Sequence, residues 1–112
     1  MTYHADLSQD VARHLRHFDA LYAAKSDPWG ARMSHDEAHK RRVIKSALGP
    51  HSYARWLEIG CGNGISTRAL APRFLNLMAL DGSGIAVNLA RREVAAFTHV
   101  KILQAVLPWT FL

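Results

Sequence analysis

Cysteine is nearly absent from this chain of 112 residues: Cys61 stands alone, which excludes an internal disulfide. No apolar run is long enough to span a bilayer as a helix, and the stretch from Met1 to Asp10 is polar, without the apolar centre of a signal peptide. No membrane association is expected, and the expected location is cytoplasmic. Metal-binding patterns are missing too. His14 and His17 lie three apart and His35 and His39 four apart, so each pair can share a helix face, but no His-Glu-x-x-His pattern accompanies them. They are read as surface histidines, with no metal site. Dense charge is also scarce, because the formal net charge of +5 is scattered and Lys40-Arg41-Arg42 is its one compact cluster. A phosphate-backbone partner would gain counterion-release free energy on such a cluster. Without interleaved aromatics, the solvated helix face is the preferred reading over a nucleic-acid partner. The hydrophobic content of 49% is enough for one domain with a core and too little chain for two.

What is present is concentrated in Glu58-Ile59-Gly60-Cys61-Gly62-Asn63-Gly64. A buried strand that turns sharply into a helix needs residues with positive φ and a backbone that approaches a ligand closely, and a Cβ obstructs both. Gly60, Gly62 and Gly64 meet that need. Before them, Arg55 to Ile59 reads as a strand of a covered parallel sheet. After them, Ile65 to Phe74 reads as a helix with Pro72 near its end. A second apolar run, Leu75 to Leu80, ends in Asp81, 21 positions beyond Gly60. In a βαβ unit a carboxylate at that tip accepts hydrogen bonds from both hydroxyls of a ribose. The alternative is an ordinary turn aspartate beside Gly82, Ser83 and Gly84. Spacing and context favour the ribose role. Cys61, within the loop, is read as a small packing residue, since nothing nearby in sequence would activate its thiol.

The glycine spacing separates two cofactor classes. A nicotinamide fingerprint would place its third glycine at position 65, where Ile65 stands. The acidic-led pattern Glu58-x-Gly60-x-Gly62-x-Gly64 instead resembles the first motif of class I methyltransferases, which use S-adenosylmethionine (SAM). The fold class implied is α/β, a Rossmann-like sheet whose first three parallel strands follow N-terminal helices. By position, the resemblance assigns cofactor contacts to Glu58, Gly60, Cys61, Gly62, Asn63 and Gly64, and to Asp81 and Gly82 at the second strand's tip. Upstream, Phe18-Asp19-Ala20-Leu21-Tyr22, Asp27-Pro28-Trp29-Gly30, Ser34, Glu37 and Lys40 resemble the leader of methyltransferases related to nodulation protein S. That family methylates an amine of a chitooligosaccharide, and more distant members have other acceptors. The implied acceptor is a small-molecule or oligosaccharide amine or oxygen.

The leader, residues 1–50, reads as two helices. Val11, Leu15, Phe18, Leu21 and Tyr22 make one apolar stripe on a helix from Ser8, its expected N-cap, to about Ala24. Lys25 to Met33 is a connector. Ser34 and Glu37 form a capping-box pattern for a second helix that runs to Leu48 and is stopped by Gly49-Pro50. The resemblance would allow Glu37 a place in a cofactor or acceptor pocket, but capping alone accounts for it and is the preferred reading. Trp29 and Arg32 are stronger candidates for the cofactor site, since no periodicity explains a tryptophan in a Pro-Gly connector. Trp29 either closes over the adenosine or acceptor, or packs on the sheet.

Residues 51–108 form the βαβαβ half-domain. Ile85, Ala86, Leu89, Ala90 and Val94 give a second crossover helix, with Arg91, Arg92 and Glu93 on its solvent side. His99 to Ala105 reads as the third strand. Where many methyltransferases carry an acidic residue for the adenine amine, this chain has Gln104, whose side chain can also accept that bond. The family sheet has seven strands in the order 3-2-1-4-5-7-6, and this sequence has room for three. The expectation is a cofactor half, truncated before an atypical end at 109–112, that binds SAM weakly or not at all when alone. No catalytic residue is assignable, because the acceptor-side groups usually come from the fourth strand. A non-catalytic remnant, a subunit completed by a separate C-terminal half, and a nicotinamide-dependent oxidoreductase are the alternatives.

Overall fold

The structure, a computed structural model, describes residues 2–106, with side chains from residue 9 onward. Helix α1 spans Thr2–Ala24 and α2 His35–Leu48. Strand β1 (Tyr53–Ile59) leads through the glycine loop into α3 (Ile65–Leu70), a 3-10 turn at Ala71–Arg73 and β2 (Phe74–Asp81). Helix α4 (Gly84–Glu93) and strand β3 (Val100–Gln104) complete the order. Ser8 therefore lies inside α1 rather than capping it. The helix expected over Ile65 to Phe74 is shorter, because Pro72 sits in the 3-10 turn and Phe74 already opens β2. Proline cannot donate the backbone bond that would carry an α-helix onward.

The three strands are parallel in the order β1-β2-β3. Leu57 pairs with Met78 and Ile59 with Leu80, while on the other face Trp56 pairs with Leu77 and Glu58 with Ala79. Asp81 is in register with Gln104. Alternation sends Leu77, Ala79, Val100 and Ile102 into one core with Leu70, Ala71, Val87 and Ala90 from the crossover helices. Ala71, Ala79, Ala86 and Ala90 are wholly inaccessible, so helix and sheet approach closely at small residues. The opposite face is only partly covered among the described residues: Leu80 is buried, while Leu57, Ile59, Met78 and Leu103 are 50%, 65%, 41% and 39% exposed. Sequence alone suggested a covered β1, yet none of its residues is buried here, and even Trp56 on the core side is 40% exposed.

Helix α1 packs on α4, and α2 packs on α3. The two leader helices thus flank the C-terminal ends of the strands, where open α/β sheets bind ligands. No described helix is long and apolar enough to cross a membrane.

Candidate functional site

At those strand ends lies a cavity of about 690 Å³ lined by the glycine loop, Glu58, Asp81, Gly82 and residues of both leader helices. Its size falls within the roughly 300–1,000 Å³ of small-molecule sites.

The loop is built from positive-φ glycines, each serving a different purpose. At Gly60 (φ 77°) a Cβ would meet nothing within 4 Å, so its backbone borders open space. At Gly62 (φ 56°) it would lie 2.6 Å from the Tyr22 hydroxyl. At Gly64 (φ 81°) it would strike the Ala90 backbone at 2.8 Å, so this glycine lets the start of α3 close onto α4 and does not line the cavity. The amides of Gly60 and Cys61 both donate to the Leu80 carbonyl, at 2.8 and 2.9 Å, which ties the loop to the end of β2.

Asp81 stands at the centre of this arrangement. One carboxylate oxygen accepts from the Gly62 amide at 2.9 Å and the other from the Ser83 amide at 2.9 Å. The carboxylate at the tip and the bare backbone bend are therefore in direct contact, as the ribose reading of Asp81 requires. Ser83 caps α4 through the Ala86 amide and donates its hydroxyl to Asp19 of α1, so the leader is latched to the same corner.

Glu58, at the end of β1, accepts a hydrogen bond from the Thr67 hydroxyl of α3. Burial raises its pKa above the usual carboxylate range, and the bond from Thr67 only partly offsets this. Burial also pushes the Cys61 thiol up to about 12, reinforced by the charges of Asp81 and Glu58, which leaves it protonated and inert. The Tyr22 hydroxyl is likewise pushed up to about 12 by burial and then by Asp81. The phenol therefore stays protonated at the cavity wall.

The connector holds the loop from outside. Asp27 accepts from the amides of Ala31 (2.7 Å) and Arg32 (3.0 Å) and from the side chain of Asn63 (3.2 Å). Burial works against its ionisation, but these bonds outweigh it and hold its pKa low. Asn63 also donates to the Ser26 carbonyl at 2.9 Å. Trp29 packs on Phe18 and Tyr22, with ring centroids 6.1 and 5.6 Å apart, and borders the cavity while half exposed. It lies on α1, not on the sheet.

Three residues singled out in the sequence fall elsewhere. Arg32 extends to Glu93 at 2.8 Å, bridging connector and α4 outside the cavity lining. Glu93 is thereby engaged, with Arg68 as a second partner at 3.4 Å, and is not a free solvent-facing side chain. Gln104 donates to the Gly82 carbonyl at 3.2 Å and does not line the cavity. Conversely, Val11, His14, Leu15, Lys40 and Ser66 line it without having been assigned to it from sequence, and so does Glu37, for which the cap was the preferred reading. Helical spacing marks α1's apolar stripe, but it cannot say whether that stripe faces a core or a cavity.

A cofactor with a ribose flanked by an apolar-and-polar tail fits these observations: an acceptor carboxylate at Asp81, bare backbone at Gly60, and a cavity large enough to hold it. The glycine bend, the second-strand carboxylate and the β3-β2-β1 parallel order are those of a Rossmann-like sheet, the fold that class I SAM-dependent methyltransferases share. Residues 57–107 match the family model described as a methyltransferase domain. Among solved structures, the chain is similar to the N-methyltransferase NodS from Bradyrhizobium japonicum WM9, solved with S-adenosyl-L-homocysteine (SAH). Identity is 25% over 85% of this chain and 45% of that one, with a TM-score of 0.66. It is also similar to a Pseudomonas syringae protein regarded as a methyltransferase, with 37% identity over 67% of this chain and 48% of that one and a TM-score of 0.60. The structure of DhpI with SAH shares the fold at 23% identity and a TM-score of 0.66, over 85% of this chain and 44% of that one. The chain thus spans less than half the length of these relatives. No curated protein sequence matches it. S-adenosylmethionine is the cofactor that fold and relatives support, and the nicotinamide alternative gains nothing from them.

Proposed function

We propose that this chain forms the cofactor side of a SAM-dependent methyltransferase acting on a small-molecule or oligosaccharide amine or oxygen, in the manner of NodS. The observation that carries it is the Asp81 carboxylate, held by the Gly62 and Ser83 amides at the mouth of the glycine-loop cavity. Glu58, Gly60, Cys61, Gly62, Asn63, Asp81 and Gly82 surround the cofactor in this reading, Trp29 covers it, and Gly64, Arg32 and Gln104 support the surrounding backbone. The bound sulfonium carries an already activated methyl group, so the protein's task is orientation and exclusion of water. Oligosaccharide or small-amine specificity rests on the likeness to NodS and on the shared leader.

Groups that orient the acceptor come, in this reading, from polypeptide that pairs with the outer edge of β1. The apolar, partly covered face of Leu57, Ile59, Met78 and Leu103 favours further polypeptide that covers that face. The 112-residue chain alone is expected to bind weakly, with a dissociation constant nearer 1 mM than 1 μM, or about 4–6 kcal/mol. Ligand-observed NMR titration with SAM and SAH tests this. Asp81→Ala should abolish the signal while the circular dichroism melt persists; undiminished binding by that variant would refute the ribose assignment.

A further inference from the structure

Helix α1 meets the Asp81 corner through a contact that the cofactor reading has not used. Leu15 and Asp19, one turn apart on the same face of α1, both reach the turn that carries Asp81. A Cβ at Gly82 would lie 2.5 Å from the Leu15 side chain, so α1 rests directly on this turn. Asp19 accepts a hydrogen bond from the Ser83 hydroxyl at 2.5 Å, and the Ile85 amide donates to the same oxygen at 3.5 Å.

The backbone of the turn is fixed without Asp19. From the β3 side, Gln104 donates to the Gly82 carbonyl at 3.2 Å and the Ala105 amide to the Asp81 carbonyl at 3.0 Å. The first turn of α4 is closed by the Ser83 oxygen, which accepts from the Ala86 amide at 3.1 Å. What is left for Asp19 is the single hydrogen of the Ser83 hydroxyl. Ser83 is 1% exposed, so bulk water does not take that hydrogen instead, and a buried donor without an acceptor is costly.

Lone-pair arithmetic shows why this one hydrogen matters. A carboxylate offers about four acceptor positions. Asp81 fills one with the Gly62 amide and one with the Ser83 amide, each at 2.9 Å. The pair that remains matches the two hydroxyls of a ribose. Deprived of Asp19, the Ser83 hydroxyl turns to the acceptor within its own turn, the Asp81 oxygen that already holds the Ser83 amide. There it occupies a position that a ribose hydroxyl needs. Resting on the SAM reading of the site, we propose that Asp19 is a positioning residue for the cofactor: by holding the Ser83 hydroxyl, it keeps the free positions of the Asp81 carboxylate open to the ribose. Asp19 does not line the cavity, and it acts through Ser83.

A plain tether between α1 and α4 would use the same bond, but the two roles differ in what removal of Ser83 does. Dissociation constants of SAH for variants of the 112-residue chain, from ligand-observed NMR, separate them. Asp19→Ala should weaken SAH about tenfold, the scale of one charge-assisted hydrogen bond. Asp19→Asn, whose amide oxygen accepts the same hydrogen, should stay within about twofold of the parent. Ser83→Ala keeps the amide and removes the competing hydroxyl. It should also stay within about twofold, although loss of the α4 cap lowers its thermal midpoint. The double variant Asp19→Ala/Ser83→Ala should recover the affinity that Asp19→Ala loses, which a broken tether would not. The parent should bind SAH about tenfold tighter than the 2′-deoxy and 3′-deoxy analogues of SAH, and Asp19→Ala should lose that preference against one of the two. Parent-like binding by Asp19→Ala, or a double variant as weak as Asp19→Ala, overturns the positioning role; loss of binding in Asp81→Ala then leaves the ribose assignment standing. Undiminished binding by Asp81→Ala, or no SAH binding by the parent, overturns both.

Discussion

Single residues show how burial decides what a side chain can do. Glu58 was legible as the acid that leads the glycine motif, but its environment was not: the close approach of α3 brings the Thr67 hydroxyl onto it and removes water from it. A carboxyl whose folded pKa lies above its unfolded value binds its proton more tightly in the native state. Its stabilising contribution is fully present below the unfolded value and is lost as pH rises through the folded one. Glu58→Gln should therefore remove a decline in stability between mildly acidic and neutral pH, measured as urea midpoints across that range. A variant whose decline matched the parent's would show that Glu58 is ionised at no cost. Asp27 and Glu93 carry the opposite shift, since hydrogen bonds from Arg32 and other partners outweigh burial in both. They hold the connector most firmly once ionised, and that hold weakens as acid protonates them.

At the scale of elements, the strand–loop–helix unit shows why three glycines with one backbone requirement are not equivalent. Any side chain at Gly62 or Gly64 costs about 1–2 kcal/mol for the left-handed backbone alone. At Gly62 the colliding atom is the end of the Tyr22 side chain, which can move, whereas at Gly64 it is the main chain of α4. Gly64→Ala should thus add an overpacking cost of about 1–3 kcal/mol that Gly62→Ala largely escapes. Thermal melts of the two variants check this, and a larger loss for Gly62→Ala would contradict it. The second helix teaches a related lesson. Ser34 was readable as its N-cap, worth about 1 kcal/mol, and it serves as one. Glu37 fitted the same motif on paper, but the Gly30 carbonyl, delivered by the turn at Asp27 to Gly30, reaches the Ser34 amide first.

For the whole molecule, the two sides of the described sheet differ. On the β3 edge, the Arg91 guanidinium donates twice to the Ile102 carbonyl, at 2.9 and 3.2 Å, which blunts that edge against further pairing. The β1 side keeps its apolar Leu57 and Ile59 exposed. Concentration-dependent association is the expected result. Ile59→Lys should reduce it in light scattering without lowering the melting temperature, because the residue is 65% exposed. Equal association of parent and variant would place the contact elsewhere. The expected atypical end at 109–112 lies outside the described residues.

By itself the sequence determined the parallel βαβαβ order, the glycine bend and the carboxylate 21 positions beyond it, because periodicity, backbone permissiveness and turn chemistry are local properties. Helix limits were less legible: Ser8 turned out to be interior and Pro72 cut α3 short, since tertiary packing and a single missing amide settle where a helix ends. Only the tertiary structure decided which side chains share the cavity. It placed Glu37 and Lys40 at the cavity rim and turned Arg32 toward Glu93. It also set Gly64 against α4. Those outcomes depend on how helices separated in sequence pack over the strand ends, and no stretch of chain carries that information alone.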